Sequence, residues 1–450
     1  MERNNFDIII IGSGYRAMVT AYLALKKNKK ILIVSKSKDL FGIMRPLKWQ
    51  GGNFDKGYHF FDGIDEKQKT FLTDFIGSDI LHDFGFGAAS LTNNRLYSDH
   101  AIPYWPHQGK FFCAQAFLKY IINFSNIIDQ KINEAESYED LLNLLPNNIR
   151  EILIQECKRR IGKEPKELSY LFQDFPFFNF RQTIFPDSIS KFLKDKSKYF
   201  DETIASRRKS LNLDCISLYP KGQNMGVVAE IMKKKLIDGG VEITNFDELK
   251  IFNNEKNNVK IFAEGKFITA DKIYIVTELD DALNFFEKKF SDQSTIYYLP
   301  QIFYFFSTIK INSKFQYVMG NTVGNLINRA NNMSLYGEKT MNNEFVLSAE
   351  VADNTNIELW NNPEKYLNKV WEEIKLMGLA SIDQKFSKFD IFPIKKTAPL
   401  QLINFNKVTK DLKNYLEQNF NNKVLFPGLG KRTSRSFFLD DVEKTINKHE

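Results

Sequence analysis

The chain has 450 residues, more than one compact core supports, since domains usually close at about 100–200 residues. Hydrophobic residues make up 43% and charged residues 26%, a composition that excludes global disorder and a collagen-like or coiled-coil rod. The net charge of +7 is spread along the chain, so it favours an ordinary solvated surface over a dedicated anionic partner. We therefore predict no nucleic-acid partner.

Cysteine and histidine usage gives no sign of a metal site or of a disulfide framework. Cys113, Cys157 and Cys215 lie far apart in the sequence, and the five histidines form no ligand pair at helical spacing. The longest later apolar run, Ile302–Phe306, is far shorter than the ~20 residues of a membrane span, and no charged leader opens the chain. We predict a cytoplasmic protein with no metal and no integral membrane segment.

The first forty residues follow the order strand, glycine turn, helix, strand. Phe6–Ile11 is a β-branched run typical of a buried parallel strand, and Gly12–Ala17 follows it with the pattern GxGxxA. Apolar residues at helical spacing then predict a helix that reaches Leu25, and Ile31–Val34 predicts a second buried strand. This order makes a dinucleotide site a better interpretation than a structural turn alone.

The glycine turn has a specific chemistry. Gly12 allows the tight turn, Gly14 lets the backbone approach a pyrophosphate, and Ala17 lets the helix lie close to the strand, while the helix N-terminus offers N–H groups to phosphates. The acidic residue expected at the end of the second strand is replaced by Ser35, followed by Lys36. The predicted cofactor contacts are Gly12, Ser13, Gly14, Tyr15, Arg16, Ala17, Ser35 and Lys36.

The next segment distinguishes between cofactors. Phe54–Phe60 resembles the FDxGxHxF segment of a flavoprotein superfamily that includes UDP-galactopyranose mutase, protoporphyrinogen oxidase and the flavin amine oxidases. The resemblance implies that Gly57, Tyr58 and His59 lie beside the flavin ring of FAD. The alternative for His59 is a satisfied core histidine. The resemblance also implies that a loop near the FAD pyrophosphate holds Gly42, Arg45, Gly51 and Gly52.

A second stretch resembles the same superfamily. Tyr219–Gly226 is similar to its YPxGGM segment, and a helix with one apolar face follows, ending at Gly239. The pattern then predicts a hairpin of 259–263 with 266–270 and a separate buried strand at 272–277. The resemblance implies that the backbone of Leu249 contacts the adenine. Without the resemblance, this region is only an α/β segment with a hairpin.

The C-terminal stretch Val424–Arg432 and the residues up to Val442 resemble the closing strand, glycine loop and helix start of the superfamily. A helix that starts near Asp441 would aim its N–H groups at the electron-rich edge of the flavin. This adds Gly428, Asp441 and Val442 to the predicted cofactor contacts.

Two insertions separate these pieces. Residues 111–175 predict helices, with a capping-box-like start at Ser137–Asp140 and a turn, Gly162–Leu168, that resembles WGxxPxEL. Residues 291–390 predict strands, among them the alternating run Phe345–Val351. The resemblance implies a helical cap and a substrate sheet.

The predicted fold class is α/β: a discontinuous Rossmann-like FAD-binding domain of the GR2 type, with an inserted helical cap and an antiparallel-sheet substrate domain. The predicted FAD-binding domain comprises residues 1–95, 215–290 and 391–450. The cap comprises 96–214, and the substrate region comprises 291–390.

The resemblance implies an FAD-dependent oxidoreductase that acts on a small organic substrate. An alternative is a mutase-like flavoenzyme that isomerises a nucleotide sugar, and a further one is a non-catalytic binding protein similar to Rab GDP-dissociation inhibitors. A nicotinamide dehydrogenase would need a second glycine fingerprint or a catalytic pair, which the sequence lacks. The predicted catalytic residues are His59, Arg329 and Arg432, although each arginine alone is more typical of a solvated or salt-bridged surface. The sequence assigns neither a substrate nor an oligomeric state.

Overall fold

The structure is a computed structural model that describes residues 3–37, 39–57, 59–83, 87–97, 103–124, 134–175, 177–204, 216–253, 258–311, 313–427 and 437–448. Three predicted site residues, Tyr58, Gly428 and Arg432, lie outside the described residues. Across the described part of the chain, no helix is both long and apolar enough to cross a bilayer.

The strands and helices are numbered in chain order. The strands are β1 (Arg3–Ile11), β2 (Ile31–Ser35), β3 (Leu47–Trp49), β4 (Gly52–Phe54), β5 (Phe61–Ile64), β6 (Leu81–Asp83), β7 (Ala88–Thr92), β8 (Arg95–Tyr97), β9 (Ile216–Pro220), β10 (Glu242–Asn245), β11 (Leu249–Asn253), β12 (Val259–Ala263), β13 (Lys266–Ile275), β14 (Ile296–Thr308), β15 (Tyr317–Gly320), β16 (Ile327–Asn332), β17 (Phe345–Val351), β18 (Lys388–Gln401) and β19 (Val424–Leu425). The α-helices are α1 (Tyr15–Leu25), α2 (Glu66–Ile76), α3 (Lys110–Phe124), α4 (Tyr138–Leu142), α5 (Asn147–Glu156), α6 (Asp187–Lys196), α7 (Lys198–Thr203), α8 (Met225–Asp238), α9 (Leu279–Leu283), α10 (Ile357–Asn361), α11 (Leu367–Leu376), α12 (Phe405–Phe420) and α13 (Phe437–Lys448).

The first sheet has the order β10-β2-β1-β13-β12-β11, with β19 paired to β13. Its centre is parallel: β1 pairs with both β2 and β13. Alternate residues of β1 enter two separate cores, Ile8 and Ile10 beside α1 and α8, Ile9 and Ile11 beside α12. Burial on both faces explains why this strand is a continuous isoleucine run.

Two sequence predictions about this sheet need correction. The run at 266–270 and the strand predicted at 272–277 form one strand, β13, which pairs antiparallel with β12 over its first half and parallel with β1 over most of its length. Asp271 is exposed, so its charge does not need to interrupt the strand. The last helix was predicted to start near Asp441, but α13 already includes Phe437, because Leu439, Val442 and Ile446 form one continuous buried stripe.

The second sheet has the order β18-β14-β17-β16-β15-β7-β8. Its outer face packs against α11 through a core that includes Val318, Ala330, Ala349 and Trp371. The strands β7 and β8, and the C-terminal part of β18, hydrogen-bond in this sheet although they lie outside the predicted range 291–390. The division into an FAD-binding domain, a cap and a substrate region remains a proposal. In it, β7, β8 and β18 connect the substrate region to the other two.

The helical cap contains α3 to α7 and has its own aromatic core. The predicted capping box at the start of α4 is confirmed: the Ser137 side chain accepts from the Asp140 N–H, and the Asp140 carboxylate accepts from the Ser137 N–H. A π-helical turn, Cys157–Ile161, continues α5 and meets the second sheet. There Arg160 Nη2 donates to the Gly320 carbonyl at 2.7 Å, so the cap is joined to the sheet by a buried contact.

Candidate functional site

The glycine turn lies where β1, β2 and β13 end, at the carboxyl edge of the first sheet. Gly12 has a φ of +147°, and a Cβ at this position would lie 2.9 Å from the Val276 carbonyl oxygen. Gly14 is the N-cap of α1, which has no side-chain cap and no acidic residue in its first turn. A Cβ on Gly14 would meet no atom within 4 Å. The position beside the Gly14 Cα, at the N-terminus of α1, is therefore open, as the approach of a dinucleotide pyrophosphate requires.

The charged groups around this turn balance one another. Burial lowers the pKa of Arg16, in the first turn of α1, while the carboxylates of Glu278 and Asp441 oppose that shift. Burial likewise raises the pKa of Glu278, with Arg16 opposing the shift. Lys36 is exposed and lies 3.4 Å from Asp281. The cations Arg16 and Lys36 therefore already interact with carboxylates before any anionic ligand binds.

Ser35 and Arg45, two predicted cofactor contacts, have partners within the chain. Ser35 is buried; its Oγ donates to the Ser37 carbonyl at 2.9 Å and accepts from the Ser37 N–H at 3.0 Å. Arg45 Nε donates to the Leu40 carbonyl at 2.8 Å, and its Nη2 lies 2.9 Å from Glu230. The structure thus places both residues beside the turn, in hydrogen bonds that position its loops.

The segment that resembles FDxGxHxF links the two halves of the first domain. Asp55 is 1% exposed; its Oδ2 accepts from the Tyr219 hydroxyl at 2.7 Å and its Oδ1 from the Met225 N–H at 3.3 Å. Met225 begins α8, whose N-cap Asn224 also accepts from the Gly226 N–H. A carboxylate at this helix N-terminus is favoured by the helix dipole. The two motifs, more than 150 residues apart in sequence, therefore meet in one buried contact.

Gly57 connects this segment to the second sheet. Its φ is +76°, and a Cβ at this position would overlap Glu350 Oε1 and approach Phe303. His59 follows and is half-buried. The sheet contact alone thus requires glycine at position 57, which is a structural reason in addition to the flavin contact that the sequence predicts.

The inner face of the second sheet, the face opposite α11, carries a buried polar row. The register pairs Phe303 of β14 with Glu350 of β17, Glu350 with Arg329 of β16, and Arg329 with Met319 of β15. Arg329 Nε lies 2.5 Å from Glu350 Oε1; Glu350 is fully buried and the Arg329 side chain is 25% exposed. Burial lowers the pKa of Arg329, but the Glu350 carboxylate outweighs it and raises that pKa above its ordinary value.

Further polar groups complete the row. Gln301 Nε2 donates to Glu350 Oε2 at 3.3 Å, and Asn331 Nδ2 donates to Glu350 Oε1 at 3.4 Å. Burial raises the pKa of Tyr336, and the carboxylates of Asp55 and Glu350 add to that rise, so the hydroxyl of Tyr336 stays protonated. The arrangement can therefore hold a polar substrate group by hydrogen bonds on a face from which bulk water is largely excluded.

The remaining predicted contacts are placed as follows. Leu249 begins β11 and is buried, paired with Ala263. Asp441 lies in the second turn of α13, close enough to Arg16 to affect its pKa. Val442 is fully buried in the core beside α1 and α2, so its side chain contributes to packing.

The sequence interpretation assigned no role to Asp55, Tyr219 or Glu350. Asp55 and Tyr219 lie inside the motifs that carried the resemblance, yet only their neighbours were assigned. Glu350 lies in a strand that is otherwise apolar or small, and a charged residue inside such a strand is a signal of a buried ionic partner. That signal indicates a partner without identifying Arg329.

The geometry is that of a dinucleotide-binding domain joined to a second sheet with a polar inner face. A model of the NAD(P)-binding Rossmann-like domain family matches residues 10–75, which contain the glycine turn. No curated protein sequence matches the chain.

Solved structures match nearly the whole chain. A reduced UDP-galactopyranose mutase has a TM-score of 0.69 at 11% identity, with 99% of this chain and 96% of that chain covered. A provisionally named protoporphyrinogen oxidase from Exiguobacterium sp. 255-15 has a TM-score of 0.64 at 14% identity, with 100% and 98% covered. A putrescine oxidase bound to putrescine has a TM-score of 0.60 at 11% identity, with 99% and 98% covered. The predicted resemblance and fold class are confirmed at the level of the fold: the chain folds like these three solved structures over nearly its whole length.

Proposed function

We propose that the protein is an FAD-dependent oxidoreductase that holds a small organic substrate between the cofactor and the inner face of the second sheet. One observation carries the proposal: the segment of Asp55 and Gly57 contacts the dinucleotide domain through α8 and the polar row through Glu350. A cofactor that extends from the glycine turn to this segment would therefore reach the sheet where Arg329 and Glu350 lie.

The residues present fit FAD at the phosphate end. The N–H groups of the turn from Gly12 to Ala17 would hold the pyrophosphate, and the open space before Gly14 leaves room for it. Bound FAD would supply the redox chemistry, which needs no protein nucleophile. The contacts proposed for Tyr58, Gly428 and Arg432 belong to the same proposal and fall outside the described residues.

The protein's own residues would orient the substrate and exclude water. The Arg329 guanidinium would stay charged beside Glu350 and would donate to an oxygen or nitrogen of the substrate from its exposed quarter. Glu350, held by Gln301 and Asn331, would fix the orientation of Arg329. His59 follows Gly57, which packs against Glu350, and would border the same space. We propose His59 and Arg329 as residues that contact the substrate.

The proposal is tested by substituting Gly14 with alanine. Because the added Cβ meets no protein atom, we expect flavin-free Gly14→Ala to melt at the same temperature as the flavin-free wild-type protein. The variant as purified should retain at most about a tenth of the wild-type flavin, through loss of close phosphate contacts. The readouts are the flavin absorbance of the purified protein and its thermal unfolding. A colourless wild-type protein, to which FAD cannot be restored, would contradict the proposal and favour a binding protein.

The matched control is Gly265→Ala, in the hairpin turn between β12 and β13. Gly265 has a φ of +71° and open surroundings. Alanine in this left-handed conformation should cost about 1 kcal/mol of stability and leave the flavin content unchanged. Gly14→Ala should therefore change only the cofactor content, and Gly265→Ala only the stability.

A mutase-like reaction on a nucleotide sugar is the second candidate. The position of Arg329 on the inner face favours the mutase, because binding a diphosphate requires cationic side chains. The ion pair with the buried Glu350 argues against it, because it reduces the positive charge that Arg329 offers to a diphosphate. Tight UDP binding, with activity only after dithionite reduction, would support the mutase. Anaerobic bleaching of the flavin by an amine or alkene would support the oxidoreductase.

A further inference from the structure

Two polar residues lie side by side on the inner face of the second sheet, at its junction with the cap. Thr92 ends β7 and Asn321 follows β15; Gly320 pairs with Leu91, and the Asn321 N–H donates to the Leu91 carbonyl at 2.8 Å. Leu91 belongs to the apolar core of the outer face, so alternation places Thr92 and Asn321 on the inner face. We refer to these two residues as the Thr92–Asn321 pair.

The side chains of the pair are buried. Thr92 is 4% exposed and Asn321 is 6% exposed. Among the residues that the structure describes, none pairs with Thr92 Oγ1 or with Asn321 Nδ2 and Oδ1. Buried polar side chains in native proteins nearly always have a partner, and these three atoms lie on the face that carries Arg329 and Glu350, so they are available to a polar group of a ligand held there.

The polar atoms of the pair are themselves uncharged. The nearby Arg160, which donates to the carbonyl of Gly320, shares the Glu156 carboxylate with Arg159, at 2.5 Å and 2.7 Å, and is thus already ion-paired. An amide and a hydroxyl both donate and accept hydrogen bonds, so the pair suits an uncharged ligand that does the same.

We propose that the Thr92–Asn321 pair binds an uncharged part of the substrate that carries hydroxyl or amide groups. The inference rests on the proposed function, because Asn321 is two residues beyond Met319, the neighbour of Arg329 in the register. Two residues of a strand span about 6–7 Å, so a single substrate reaches both places. The pair thus selects a hydroxylated or amide-bearing substrate over an alkyl diamine or a plain hydrocarbon chain.

The test uses Thr92→Val and Asn321→Leu in the full-length protein as purified. Both substitutions remove polar atoms that have no partner, so we expect an unchanged or higher melting temperature. Calorimetric binding of neutral probes (glucose, N-acetylglucosamine and myo-inositol) should weaken about tenfold in each variant, as loss of one hydrogen bond predicts. The diamine 1,4-diaminobutane should bind weakly and equally to all variants.

The matched control is Asn332→Leu. Asn332 is also fully buried, its side-chain amide also has no partner among the described residues, and it pairs with Leu347 of the outer face. This substitution should leave binding of the neutral probes unchanged. Equal weakening by all three variants would overturn the inference, as would the absence of binding of every neutral probe to the wild-type protein.

The flavin content of the same samples distinguishes this inference from the proposed function. If the wild-type protein holds no flavin but the neutral probes bind and depend on the pair, the redox proposal fails and the inference stands. If flavin is present but Thr92→Val and Asn321→Leu lower the melting temperature with unchanged affinities, the inference fails alone.

Discussion

The two large sheets differ in how they use buried positions. In the first sheet, both faces of β1 are apolar, and its residues alternate between two hydrophobic cores. In the second sheet, one face is apolar and packs on α11, while the inner face buries a charged pair, Arg329 and Glu350. The first sheet thus positions the glycine turn through apolar packing alone, whereas the second sheet provides polar side chains of its own on its inner face.

The largest loss of stability is expected from a substitution in the charged pair of the second sheet. Glu350→Ala would leave the largely buried Arg329 without its carboxylate, and breaking a buried pair costs about 3–5 kcal/mol of stability. The measurement is the free energy of unfolding in urea. The double variant Arg329→Met with Glu350→Leu should recover most of the loss, and its failure to do so would show that the pair is required for more than charge balance.

A smaller effect is expected where the two regions touch. Gly57→Ala adds a Cβ that overlaps Glu350 and forces alanine into a left-handed conformation, which together should cost about 3 kcal/mol. Thermal unfolding followed by circular dichroism measures this. In flavin-free protein, Gly14→Ala serves as the control because it adds a Cβ to open space, and equal destabilisation by both would contradict the described packing.

The stability of the contact between the cap and the second sheet should depend on pH. Burial raises the pKa of Glu156, but hydrogen bonds and charges from Arg159 and Arg160 outweigh it and lower that pKa below its ordinary value of 4.5. The folded pKa is lower than the unfolded one, so the stabilisation is complete above about pH 4.5 and is lost as pH falls through the folded pKa.

Hydrogen exchange of residues 157–161 as a function of pH measures this dependence. The protection factor, which corrects for the intrinsic slowing of amide exchange in acid, should fall in the wild-type protein below about pH 4.5, the ordinary pKa. The variant Glu156→Gln should show lower protection that does not change over this pH range. A wild-type protection factor that is constant down to pH 3 would show that the ion pair does not hold the cap.

The smallest effect is expected for an exposed ion pair of the first region. Lys67 on α2 is 58% exposed and lies 3.1 Å from Asp440 and 2.6 Å from Glu443 on α13. Lys67→Ala should change stability by no more than about 0.5 kcal/mol, because water screens such pairs. A loss above 2 kcal/mol in urea unfolding would show that α13 depends on this contact.

The sequence predicted most of the first region, because its signals are local. The isoleucine run, the glycine turn and the helix that follows lie within forty residues, and the fold that these motifs indicated is confirmed by the structural matches. The apolar face of α8 and the capping box at Ser137 were predicted in the same way, since each depends on neighbours within a turn or two. The start of α13 was predicted wrongly because its buried stripe begins before the acidic residues that were taken as its start.

The polar row of the second sheet and the contacts between the motifs became visible only in the tertiary structure. Arg329 was a candidate from sequence, but its partner lies on another strand, and a shift of one residue in register would turn Glu350 to the opposite face. In the same way, the contact of Asp55 with Tyr219 and α8 joins segments separated by more than 150 residues. Periodicity and turn chemistry are encoded by adjacent residues, whereas pairing between distant strands depends on the packing of the whole chain.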